Sequence, residues 1–158
     1  VRDLLMAEHA DIAIQSEPDK DAMIAQKEIV KHELLVFASK ASGYLSDVSA
    51  ISLKELRDLP LVSREKESYT RQIFDQLCSN HSIPIKPSIT AANRESVFEI
   101  VAGGIGFGVV FSGEIPNDER ITSVRLKEMD RQISDHVIYL KRKADMRIIK
   151  AFLSCIEP

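Results

Sequence analysis

The stretch from 93 to 111, NRESVFEIVAGGIGFGVVF, decides the fold class more clearly than any other part of the chain. Its first residue, Asn93, is a suitable helix N-cap because its side-chain oxygen can accept a backbone N–H. Val97, Ile100 and Val101 follow at the spacing of one buried helical face. Glycines then end the helix, and the run FGVVF at 107–111 is typical of a buried strand. The stretch therefore predicts a helix that turns tightly into a strand.

Toward the N-terminus the same order of strand and helix is repeated. Residues 59–63 are a candidate strand, and residues 68–80 carry apolar side chains at i, i+4 and i+8, which predicts an amphipathic helix. An extended run then reaches about residue 92. Because strands alternate with helices from 59 to 111, we expect right-handed crossovers and a parallel core, and hence the α/β class.

The rest of the chain contains weaker signals. Ser52 and Glu55 form a capping-box pattern that predicts a short helix at 53–58. The other predicted helices are 1–8 and 145–157, and the other extended runs are 10–14, 23–31, 33–40, 121–127 and 133–142.

Composition excludes several classes of protein. The chain has 158 residues, 44% of them hydrophobic, which is enough for one compact domain or two small lobes. Its 21 Lys and Arg against 24 Asp and Glu give a net charge of -3 without any long basic run, so we expect no nucleic-acid surface in this segment. Its apolar runs are too short for a membrane span, so no membrane partner is predicted. The chain opens at Val1 without a leader, and we expect that it was cut from something longer.

Cysteines and histidines give no sign of a metal or a cofactor. Cys78 and Cys155 are too far apart in sequence for a metal knuckle, and both are expected to be buried thiols in a reducing, cytoplasmic setting. The four histidines are scattered and lack the spacing of metal ligands. The run GGIGFG at 103–108 does not match G-x-G-x-x-G, and it follows a helix rather than a strand. We therefore interpret it as a tight turn and not as a nucleotide site.

Two helix starts have the composition of an anion site. The first is REKESYTR at 64–71, where Ser68 or Thr70 can cap a helix beside basic side chains. The second is the run NRES at 93–96. In a parallel sheet both starts lie at the carboxyl edge, where open α/β sheets bind ligands. The alternative, ordinary capping within a solvated charged rim, stays open. No catalytic motif is present, so no enzyme is predicted.

Several longer stretches together resemble the effector-binding domain of LysR-type transcriptional regulators. The aspartate-containing ADIAI at 10–14 is one, and VFEIVAGGIGFGVVFSGEIP at 97–116 is the most specific. The remaining matches are ELLVFASK at 33–40, ISLKELRDLPLV at 51–62 and HVIYLKRKADMRIIKAFLSCI at 136–156.

The resemblance extends to the branch associated with 2-aminoethylphosphonate catabolism. Members of that branch show Arg-Glu-x-Gly-Ser-x-Thr-Arg, and this chain has Arg64, Glu65, Ser68, Thr70 and Arg71 in those places. Two positions depart from the pattern. Glu67 replaces the glycine, and Asn93 replaces the serine that commonly opens the next helix.

The resemblance implies a type 2 periplasmic-binding-protein-like fold with two Rossmann-like subdomains. Subdomain I would comprise 1–45 and 144–158 with its N-terminal part missing, and subdomain II would comprise 46–143, joined by crossing strands at 33–40 and 133–142. The effector would bind in the cleft between them. The implied effector-binding residues are Arg64, Ser68, Tyr69, Thr70, Arg71, Asn93, Arg94 and Ser96.

The implied function is the sensing of a small anionic metabolite, with a phosphonate as one candidate, by a bacterial cytoplasmic regulator. DNA would be bound only through an absent N-terminal helix-turn-helix, and the full-length protein would be a homodimer or tetramer. A lobe of a solute-binding protein from a transport system is the alternative.

Overall fold

The computed structural model describes residues 1–156, which divide into two compact units. The terminal unit consists of Val1–His32 and the residues from Ile133 onward, and the central unit is Glu33–Gln132. In chain order the helices are α1 Arg2–Met6, α2 Leu53–Leu56, α3 Tyr69–Asn80, α4 Arg94–Ala102 and α5 Arg147–Cys155. The strands are β1 Ala13–Ser16, β2 Ile24–His32, β3 Leu34–Ser39, β4 Ala50–Ile51, β5 Leu61–Arg64, β6 Pro87–Ala91, β7 Phe107–Phe111, β8 Ile121–Leu126 and β9 Ile133–Leu140.

A mixed six-stranded sheet forms the centre of the central unit, in the order β4-β8-β3-β7-β5-β6. β5 pairs in parallel with β6 and with β7, which confirms the parallel core predicted for 59–111. β3 runs antiparallel to both β7 and β8. The α/β class is therefore confirmed, with an antiparallel strand inserted in the middle of the sheet.

The α4 face of this sheet holds an apolar cluster. Its buried residues include Phe37, Val62, Val97, Val101 and Val110. The Phe37 ring lies 4.7 Å from that of Phe98.

Two glycines set how closely the strands and turns approach one another. A Cβ on Gly108 would lie 2.5 Å from the Phe37 ring, so only glycine lets the ring cross β7. Gly106 has φ +68, and a Cβ there would lie 2.1 Å from the Pro60 carbonyl oxygen. The tight turn predicted for the glycine run is confirmed, because the left-handed Gly104 follows α4 before β7 begins.

The terminal unit is a three-stranded antiparallel sheet in the order β1-β9-β2, with Leu5, Ile24, Ile138 and Leu140 in its core. β1 starts at Ala13 instead of at residue 10. The cause is the end of α1, where the backbone N–H groups of His9 and Ala10 both donate to the Leu4 carbonyl and hold these residues in a turn.

The division between the units falls beside the two segments that the sequence assigns to crossing strands. β3 belongs to the central unit because it is paired on both sides, with β7 and β8. β9 belongs to the terminal unit because it is the middle strand of that sheet. The expected boundaries, 46–143 for one subdomain and the remainder for the other, differ from this division at these two strands and stay a prediction.

The two cysteines differ in burial. Cys78 is buried at 3% exposure, as predicted. Cys155 is exposed, so the prediction that it is buried is wrong. It follows the buried Ile149 by six residues, which turns it roughly 120° away from the apolar stripe of α5. The predicted end of this helix, residue 157, lies outside the described residues.

Within residues 1–156, none of the helices has both the length and the apolar character needed to cross a bilayer.

Candidate functional site

The candidate site lies at the carboxyl edge of the parallel strands in the central unit. Arg64, the last residue of β5, stands in register with Ala91, the last residue of β6. Because α3 and α4 start shortly after these two strands, both helix starts reach the same edge, as the sequence predicts.

A small pocket lies at this edge and encloses about 20 Å³, roughly the space of one water molecule. Three of the eight predicted binding residues line it, namely Arg64, Thr70 and Arg94, and Glu114 completes its polar part. Its apolar lining comes from Phe37, Val97, Phe98, Val109 and Val110. In this conformation the pocket has room for part of a small ligand only.

Arg64 supplies a positive charge that is incompletely paired. Its Nε is buried and has no hydrogen-bond partner among the described residues. Its nearest carboxylate contact joins Nη2 to Glu65 at 3.7 Å, which is too long for a hydrogen bond. A buried donor without a partner costs free energy, and Arg64 is a pocket-lining residue that has one.

Arg94 is already paired. Its Nη2 donates to Glu114 Oε1 at 2.6 Å, and both side chains are partly exposed. An incoming anion must therefore compete with the Glu114 carboxylate for this guanidinium group.

The start of α3 lacks a side-chain cap. Ser68 is the N-cap residue, but its hydroxyl makes no capping hydrogen bond to the helix. The Tyr69 ring packs 5.9 Å from that of Phe111, at the end of β7. Glu67, which replaces the glycine of the family pattern, is exposed and does not have a positive φ, so this turn does not require a glycine.

The start of α4 is capped from within, as predicted. Asn93 Oδ1 accepts the backbone N–H of Ser96 at 2.8 Å. This bond occupies both residues with each other, and neither of them lines the pocket.

Arg71 is satisfied away from the pocket. Its side chain is only 8% exposed, and its Nε donates to both carboxylate oxygens of Asp75 at 2.7 Å. The structure thus separates Arg71 from Arg64, Thr70 and Arg94, although all four were expected to act together.

Sequence reasoning missed the residues that follow β7. Glu114 lines the pocket, and Ser112 Oγ accepts the backbone N–H of Glu33 at 3.1 Å. Ligands bind at the carboxyl ends of parallel strands, and this rule applies to β7 as well as to β5 and β6. Applied to β7, it would have indicated the residues that follow this strand.

Two features bear on nucleophilic and metal chemistry in the described residues, the Cys78 thiol and the grouping of possible metal ligands. Burial and the nearby Asp75 carboxylate raise the pKa of the Cys78 thiol to about 11, so this sulfur stays protonated and is a poor nucleophile. No group of three or more His, Cys, Asp or Glu side chains within 1–156 is arranged to hold a metal ion.

Comparison with known proteins gives one family and a consistent set of neighbours. The family description "LysR substrate binding domain" matches residues 1–158. The chain is 22% identical to the HTH-type transcriptional regulator CfxR of Cupriavidus necator over 152 residues, which cover 96% of this chain and 48% of that protein. It thus spans less than half the length of the curated relatives it matches.

Solved structures show the same fold. The CcmR regulatory domain of Synechocystis PCC6803, in complex with 2-PG, matches with TM-score 0.83 and 23% identity over 98% of this chain and 76% of that one. The effector-binding domain of QuiR, in complex with shikimate, matches with TM-score 0.80 and 19% identity over 98% of this chain and 74% of that one.

Proposed function

Because the chain belongs to the LysR substrate-binding domain family, and is thus the effector-binding domain of a LysR-type transcriptional regulator, we propose that its effector is a small anionic metabolite. The fold is the type 2 periplasmic-binding-protein-like α/β fold of such domains. The observation that carries the proposal is the pocket formed by Arg64, Thr70 and Arg94 at two helix starts.

Charge and geometry favour an anionic group at this pocket. Arg64 has an unsatisfied donor, Thr70 adds a hydroxyl, and the uncapped start of α3 adds the positive end of the helix dipole. Each contribution is modest, but hydrogen bonds to a charged group are worth about 1.5–3 kcal/mol, and several can act on one anion.

The finer proposal is a phosphonate-like effector such as 2-aminoethylphosphonate. Its support is the Arg64, Glu65, Ser68, Thr70 and Arg71 pattern of the sequence. The enclosed space fits a phosphonate group only if the pocket widens, and we expect separation of Arg94 from Glu114, which both line it, to widen it.

The predicted binding residues that do not line the pocket have a supporting role in the proposal. They are Ser68, Tyr69, Arg71, Asn93 and Ser96. Arg71 and Asn93 hold the two helix starts in place through Asp75 and Ser96. Ser68 and Tyr69 would contact a ligand larger than the present pocket.

The activity of the whole protein is part of the same proposal. We propose that DNA is bound by a helix-turn-helix in another part of a homodimeric or tetrameric cytoplasmic protein, and that effector binding changes how that part acts. The transport alternative is less favoured, because the relatives are transcriptional regulators.

Calorimetry with phosphate, sulfate, 2-aminoethylphosphonate and small carboxylates tests this proposal. We expect Arg64→Ala and Thr70→Ala to weaken binding of the best anion by about tenfold or more, the loss of one charge-assisted hydrogen bond. Glu114→Gln should tighten binding, since it releases Arg94 from its present partner.

The matched control is Arg57→Ala. Arg57 is an exposed arginine of the same unit and lies outside the pocket. Equal affinity in wild type, Arg64→Ala and Thr70→Ala would refute the site, and a loss of binding in Arg57→Ala would reduce the effect to net charge alone.

A further inference from the structure

A second and larger pocket lies in the central unit, at the same end of the sheet but toward β4 and β8. It encloses about 340 Å³ and is formed by the start of β3, the end of β8, β4 and the segment 127–132. We call it the edge pocket. Its size falls within the roughly 300–1,000 Å³ range of small-molecule sites. None of its lining residues belongs to the pocket at the starts of α3 and α4.

The strand register brings opposite charges to one face of this pocket. Arg125 on β8 is paired with Leu35 on β3. Side chains alternate along a strand, so Glu33, two residues before Leu35, points to the same face as Arg125. Asp130 lines the pocket from the segment after β8.

These three charged groups are not used by the fold. Within residues 1–156, Arg125, Glu33 and Asp130 form no side-chain ion pair, whereas Lys127 is bound to Glu55 at 3.1 Å and Arg131 also has a partner. The edge pocket therefore offers a ligand one guanidinium group and two carboxylates. Its remaining surface includes the partly buried apolar side chains of Ala50, which is paired with Arg125 in the sheet, and Met129.

We propose that the edge pocket binds a zwitterionic, amino-acid-like metabolite with an apolar side chain. Arg125 binds its carboxylate, Glu33 and Asp130 bind its ammonium group, and Ala50 and Met129 contact its side chain. A purely anionic ligand would meet two uncompensated carboxylates, and a purely cationic one would leave Arg125 unpaired, so both fit less well.

A ligand in the edge pocket would contact both ends of the central unit, where the chain enters and leaves it. Glu33 and Gln132, its first and last residues, line the edge pocket. Binding at this pocket does not rest on the proposed anionic effector, because the two pockets use separate residues.

Calorimetry with L-leucine, L-methionine and L-glutamate tests the proposal, with 4-methylpentanoate and isoamylamine as analogues of leucine that lack one charged group. We expect leucine or methionine to bind best and each analogue to bind at least about tenfold more weakly. Arg125→Ala and Glu33→Gln should produce losses of similar size. The analogue arm uses unmodified protein, so it does not depend on whether a variant folds.

Arg57→Ala is the control and should leave amino-acid binding unchanged. Absence of binding by all three amino acids at millimolar concentration would overturn the proposal, and so would equal affinity for leucine and its two analogues. A loss of leucine binding in Arg64→Ala but not in Arg125→Ala would also overturn it, since it would move the ligand to the other pocket. The first two of these results would not affect the test with small anions described above.

Discussion

The starts of α3 and α4 look alike in sequence but differ in how their backbone is satisfied. Asn93 caps α4 with a 2.8 Å hydrogen bond to the N–H of Ser96, whereas the Ser68 hydroxyl makes no such bond at α3. The neighbouring arginines differ in the same sense, since Arg94 is paired with Glu114 and Arg64 has an unsatisfied Nε. A helix start that caps itself serves mainly the fold, and one that leaves its polar groups unused is better suited to a ligand.

Gly106→Ala should have the largest effect, because it disrupts the close contact between the residue before β7 and Pro60, the residue before β5. The new Cβ would lie 2.1 Å from the Pro60 carbonyl oxygen, in a residue with φ +68. Phe107 N donates to that same carbonyl at 2.9 Å. We expect a loss of more than about 3 kcal/mol in the free energy of unfolding, measured in urea. Gly104→Ala is the control: its φ is also positive, but its Cβ would meet nothing, so a loss of equal size would contradict the steric explanation.

Arg71→Ala should have the next largest effect, and on stability rather than on binding. The substitution removes a buried side chain and its two hydrogen bonds to Asp75, which is itself 41% exposed and can be rehydrated. We expect a loss of about 1–3 kcal/mol in urea unfolding. Anion affinity at a temperature where the variant is folded should stay within a few-fold of wild type. A large loss of affinity with little loss of stability would show instead that Arg71 contacts the ligand.

The pair Asn93→Ala and Ser68→Ala tests the comparison most directly. Loss of the Asn93 cap should cost about 1 kcal/mol of unfolding free energy. Ser68→Ala should cost far less, since no capping bond is lost. Chemical unfolding of the two variants side by side gives both values. Equal losses would mean that Ser68 caps α3 in solution and that the two helix starts do not differ.

The smallest effect that we expect is on stability at low pH, through the ion pairs that Arg120 makes beside α4. Arg120 binds Asp118, two residues before it, and also Glu99, which lies on α4. Hydrogen bonds from the side chain and the backbone N–H of Arg120 lower the pKa of Asp118 from 3.8 to about 2. Because the pKa is lower in the folded state, this stabilisation is present above about pH 3.8 and is lost as the pH falls toward 2.

Thermal unfolding of wild type and Asp118→Asn between pH 2 and pH 6 measures this dependence. The difference between their midpoints should be greatest near pH 6 and should shrink on acidification. A difference that does not change with pH would show that the Asp118 charge contributes nothing, as occurs for many exposed ion pairs.

Local patterns predicted the elements of the central unit well. β7 spans 107–111 as expected, and the capping box of Ser52 and Glu55 forms with both of its hydrogen bonds. Both rest on interactions within a few residues, which a sequence displays directly. β4 was missed because its two residues are a strand only through their pairing with the distant β8.

The site was predicted less completely than the fold. The sequence indicated two helix starts and the arginines beside them, and Arg64, Thr70 and Arg94 do line one pocket. It could not show that Arg71 turns toward Asp75, nor that Glu114 occupies Arg94. Those choices depend on side-chain directions and on a partner 20 residues away.

The sequence by itself determined the class of the fold, the order of its elements and the edge at which two helix starts meet. Hydrophobic periodicity, caps and glycines are local signals, and they are sufficient for this. Only the tertiary structure decided which charged groups keep unused hydrogen-bonding capacity, at Arg64 and in the edge pocket around Arg125. The reason is that pairing depends on distances between residues far apart in the chain, which composition and spacing do not specify.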